Sequence, residues 1–115
     1  MLLSQIGAAK AHEPLFEVFA GCTGRYSAQM EHAWLMNDPA ADDLEAQRLT
    51  FVSLLEAVTP QDKRRDAMAK RIESKLAHSS LLTTAAFASN SQRAQWAKRQ
   101  STHHLNVCQR MLLDS

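Results

Sequence analysis

Only three prolines and three glycines interrupt these 115 residues, and their placement constrains the fold more than any other feature of the chain. The stretches between them are too long for the short strands of a sandwich or barrel, and alternating β-branched patterns are absent. Long helices are what remains. Asp38-Pro39 and Thr59-Pro60 each set an N-cap type residue before a proline suited to a first helical turn. Ser89-Asn90-Ser91 marks a third boundary, since these side chains compete with helical hydrogen bonding. Pro14 starts or kinks a helix of its own, which leaves residues 2–12 as a possible short extra helix.

Four helical segments follow, at about 14–36, 39–58, 60–88 and 91–113, most of them about 30 Å long at a 1.5 Å rise per residue. Each carries an apolar stripe. The second shows Leu44, Phe51, Val52, Leu55 and Val58, the third Met68, Ile72, Leu76, Leu82, Ala86 and Phe87, and the fourth Ala94, Ala97, Ser101, Leu105, Cys108 and Leu112. The first is less regular, with Leu15, Phe19, Cys22, Tyr26, Met30 and Ala33, and Gly21 and Gly24 predict a break within it. Short connections between long helices predict an all-α, antiparallel four-helix bundle-like domain spanning residues 1–115. At this length roughly two-thirds of the unfolded surface is buried on folding, enough for a core without metals or bridges.

The charged fraction of 22% and the net charge of +1 are ordinary, but their distribution is not. Residues 1–59 hold three Lys/Arg against eight Asp/Glu, and residues 60–115 hold ten against four. Acidic helices lying beside basic ones, within one bundle or across a dimer, would account for this. The densest basic feature is Lys63, Arg64, Lys70, Arg71 and Lys75, with Arg65 beside them. It offers a nucleic-acid reading, which the near-neutral balance disfavours.

Catalytic signatures are missing. There is no Gly-x-Ser-x-Gly elbow, no Walker loop and no Glu-x-x-His repeat of a carboxylate di-iron bundle. His104 and Cys108 share a helical face four residues apart and, with Cys22 and one of His12, His32 or His78, form an alternative metal or haem site. No cofactor is expected, however, because a cysteine on an apolar stripe is usually a reduced core residue. For the same reason a Cys22–Cys108 disulfide is not favoured. Arg25, Gln29, His32 and Met36 line one side of the first helix and could edge a small pocket.

No apolar run approaches the ~20 residues of a membrane span, and no secretory leader is visible, so the expectation is a cytoplasmic protein without membrane contact. Trp34, Met36, Trp96, Met111 and Leu112 exceed what four internal stripes need. They point to a non-enzymatic interaction or adaptor module whose first partner is a second copy of itself.

Overall fold

A computed structural model describes residues 13–114 as four helices: α1 (Leu15–Leu35), α2 (Ala41–Val58), α3 (Arg64–Phe87) and α4 (Ser91–Asp114), with a single 3₁₀ turn, Gln61–Lys63, before α3. The helices pack on one another as an all-α bundle. The short helix expected over 2–12 lies outside the described residues.

Local chemistry sets the boundaries. Pro14 precedes α1, and its carbonyl accepts from the N–H groups of Glu17 and Val18. At the other end Asn37 takes a left-handed φ of 55°, which lets Asp38 N–H reach back to Ala33 O and Asn37 N–H to Trp34 O. This is the paired closure of a Schellman motif, with asparagine where glycine is commoner. Asp38 does not cap α2 directly: its Oδ1 accepts from Ala40 N–H, and the helix begins at Ala41. Likewise Thr59 closes α2 instead of opening α3, its hydroxyl donating to Leu55 O, and α3 starts only after the 3₁₀ turn. Asn90 does cap α4, accepting from Arg93 N–H at 3.0 Å.

α1 is the hub. It packs against α2 and α3, while α4 lies along α3 and also meets α1; α2 makes no close backbone approach to α3 or α4. Phe16, Phe19, Ala20, Cys22, Tyr26, Met30 and Ala33 are all buried on it, together with Thr23, Ser27 and Ala28. A helix enclosed on several sides shows no single clean stripe, which explains its irregular pattern. The break expected at Gly21–Gly24 does not occur, because these glycines serve packing. A Cβ on Gly24 would collide with Arg71 O and stand 2.8 Å from Lys75 N. Glycine is thus what lets the α3 backbone come so near. The main core joins Phe19, Tyr26, Phe51, Leu55 and Ala67, with Tyr26 stacked on Phe51 at 5.2 Å between ring centres.

Cys22 and Cys108 are bonded to each other, with Cα atoms 5.7 Å apart, so they are not separate core thiols. On α3 the buried residues are Ala67, Ser74, His78 and Leu82, whereas Met68, Ile72, Leu76 and Phe87 are exposed. Of the apolar stripe expected as core Leu82 is buried, while Met68, Ile72, Leu76 and Phe87 face outward.

Candidate interaction surface

The inward face of α3 explains this reversal. Gly21 and Gly24 bring α3 so close that only small side chains fit at the crossing, and Ser74 Oγ lies 3.4 Å from where a Gly21 Cβ would be. One turn further on, His78 is wholly buried. Its Nε2 is 2.8 Å from Gln29 Oε1 and its Nδ1 is 3.2 Å from Arg25 Nη1, so the ring donates to the amide oxygen and accepts from the guanidinium. Burial, then the positive charge of Arg25 and smaller effects of His104 and His32, push its pKa down to about 3. Burial also lowers Arg25, and burial, then Arg25 and His103, lower His104. The arrangement holds a neutral imidazole as a structural bridge between α1 and α3. Sequence reading found Arg25, Gln29 and His32 but missed this role of His78, although Ala67, Ser74, His78 and Leu82 recur at helical spacing.

With Ser74 and His78 turned in, Ile72 and Leu76 lie nearly opposite them around the helix and point to solvent, 52% and 66% exposed. Met68 and Phe87 extend this face, and Leu49 is half-exposed on α2. Trp34, Leu35 and Met36 close α1 at the end of the bundle where α3 finishes and α4 begins with Trp96 nearby; all four are about half-exposed or more. Trp34, Met36 and Trp96 are therefore open to solvent. Met111 and Leu112 are not, because they pack against the main core, while their neighbour Leu113 is exposed.

The basic residues are partly committed. Lys75 Nζ pairs with Glu31 at 2.6 Å, the one interhelix ion pair found among the described residues, and Lys63 pairs with Asp66 at 3.8 Å. Lys70 is half-buried, its stem near Gly21. Arg64 and Arg71 line a groove of about 350 Å³ between the end of α2 and the start of α3, with Leu55, Ala67 and Met68 as its apolar wall and Glu56 on its rim. The metal alternative loses its thiols: Cys22 and Cys108 are spent on each other, which leaves His104 without a thiolate beside it. Among the described residues no group of three His, Cys, Asp or Glu side chains is placed to hold a metal ion. No described helix is long and apolar enough to cross a membrane.

No family model, curated protein or solved structure matches this chain.

Proposed function

We propose that the protein works by binding protein surface, in the first place a second copy of itself, and performs no chemistry of its own. One observation carries this reading: α3 turns Ser74 and His78 inward and leaves Met68, Ile72, Leu76 and Phe87 in solvent. Scattered exposed leucines are ordinary, but a row of large apolar groups along one helix face marks a contact surface. Covering it recovers about 25 cal/mol for each Å² removed from water.

Light scattering on the purified protein tests the reading. The expected mass is twice 12.8 kDa, falling to the single-chain value on dilution. Ile72→Glu with Leu76→Glu should give a monomer of unchanged helicity, since neither side chain supports the core. A wild-type mass of 12.8 kDa at every concentration would overturn self-association.

The compartment follows from the sulfur chemistry. Structural disulfides persist in oxidising surroundings, so the Cys22–Cys108 bond weighs against a cytoplasmic site of action. Alkylating protein inside intact cells and then measuring its mass decides the point. Two added alkyl groups mean a reducing compartment, and none means an oxidising one.

A further inference from the structure

We infer that the cleft between α2 and α4, floored by α1, is a binding site for a small neutral polyol of about one sugar ring. It is separate from the self-association proposed above, because α3, which carries the exposed apolar row, contributes no described residue to it.

The cleft follows from how the helices pack. α2 and α4 both meet α1 but make no close backbone approach to each other, and the gap between them is a cavity of about 230 Å³. Tyr26 and Gln29 on α1 form its floor, and Leu44 and Gln47 line it from α2. On α4, Ser101, Leu105 and Gln109 succeed one another at four-residue steps along one helix face, with Thr102 and Asn106 beside them.

Two polar groups on the floor lack a protein partner. Tyr26 is only 2% exposed and its ring is stacked on Phe51, yet its hydroxyl makes no hydrogen bond among the described residues. Among those residues Arg48 Nε is the one fully enclosed side-chain N or O atom left unpartnered, so the Tyr26 oxygen keeps an opening where the residue lines the cavity. Gln29 gives its Oε1 to His78, which leaves the two N–H groups of its Nε2 without a described acceptor. Polar groups this deep are costly unless something bonds to them, and the cavity is where that partner enters. Burial raises the Tyr26 pKa, so the hydroxyl keeps its proton and can donate.

The lining selects the class of ligand. No Asp, Glu, Lys, Arg or His is among the described lining residues, so an ionised ligand would lose hydration without meeting a counter-charge. The polar lining is amide and hydroxyl throughout, and Ser101, whose hydroxyl donates to Lys98 O, keeps its lone pairs for an incoming donor. Such groups donate and accept at once, which is what each hydroxyl of a polyol requires. Leu44 and Leu105 supply apolar surface for the C–H side of a ring. A nucleobase is neutral too, but bases are held largely by stacking on an open aromatic face. Tyr26, the one aromatic among the described lining residues, is too deeply buried to offer one. At about 230 Å³ the cavity falls below the roughly 300–1,000 Å³ of drug-sized sites and suits a single substituted ring.

Nuclear magnetic resonance of the ¹⁵N-labelled protein tests the site, with D-glucose, D-galactose, D-mannose, D-ribose and myo-inositol as probes. At least one should shift the side-chain amide signals of Gln29, Gln47, Asn106 and Gln109 along a saturable curve, with a millimolar or tighter dissociation constant. Tyr26→Phe deletes the hydroxyl and keeps the ring, so it should weaken that binding about fivefold, the worth of one hydrogen bond. Its melting temperature should be unchanged or higher, because the deleted oxygen has no described partner in the fold. Gln47→Leu should weaken binding by a similar factor. Absence of shifts with all the probes would overturn the proposal, as would an affinity that neither variant changes. A melting temperature lowered by Tyr26→Phe would mean that the hydroxyl is bonded within the fold, which removes the ground for the site. Adenine and uracil are titrated alongside, and tighter binding of either than of every polyol would overturn the class of ligand.

Discussion

Both ring nitrogens of His78 are engaged in ways that suit a neutral imidazole, and the ring has no access to water. Its pKa is held near 3, whereas the unfolded chain takes up the proton near 6.5. The folded state therefore binds fewer protons between those values, and stability is full above pH 6.5 and falls as the pH drops toward 3. The slope expected from this one group is about 1.4 kcal/mol per pH unit, and His104, lowered in the same direction, steepens it. Urea unfolding at pH 7, 6 and 5 should show this loss, and His78→Gln should flatten it. An unchanged slope in the variant would mean that His78 is not the sensor. The two α1 glycines offer a matched pair. Gly24→Ala drives a methyl into the α3 backbone and should cost about 2–3 kcal/mol. Gly21→Ala meets only Ser74 Oγ at 3.4 Å and the Lys70 stem at 3.8 Å, so it should be neutral or stabilising by up to about 1 kcal/mol. Thermal melts of the two variants check the contrast. Nothing in the sequence separates these glycines, because the difference lies in what α3 places opposite each.

Among the helices, the sequence was most legible where one face is buried and the other is not. The Phe51 and Leu55 stripe of α2 and the Ala97, Ser101 and Cys108 stripe of α4 read correctly, as did the turn at Asn90. On α3 two rows compete at helical spacing, one large and apolar, the other small and polar. Hydrophobicity alone selects the wrong one, since the close approach at Gly24 admits only small side chains and hydrophobic Met68, Ile72 and Leu76 are left outside. The sulfur bridge was illegible for another reason. Two cysteines 86 positions apart pair only because α1 and α4 run antiparallel with Cys22 opposite Cys108. A loop of that length is worth about 4–5 kcal/mol by the chain-entropy account. Cys22→Ser with Cys108→Ser should lower stability by that order, seen as an earlier urea midpoint, and dithiothreitol should reproduce it in the wild type. If neither changes the midpoint, the bridge does not stabilise the fold.

For the whole molecule, the exposed end bearing Trp34, Met36 and Trp96 was legible as surplus apolar residues, whereas the apolar row on α3 emerged as exposed only once the helices were placed. Pairing across that apolar row implies little sensitivity to salt. The screening length shrinks from about 10 Å at 0.1 M to about 3 Å at 1 M, yet sedimentation equilibrium should show a dimer no weaker at 1 M sodium chloride. A dimer several-fold weaker would mean that charge pairing sets its strength. The disulfide has a mechanical meaning as well. Force applied between a point before Cys22 and a point after Cys108 runs straight through the sulfur bond and bypasses the chain between. At about 3.5 Å of contour per residue, roughly 300 Å of polypeptide is locked out of any extension. Stretched in an optical trap, the oxidised protein would extend only outside residues 22–108, and the part of the bundle enclosed by the bridge would carry no load.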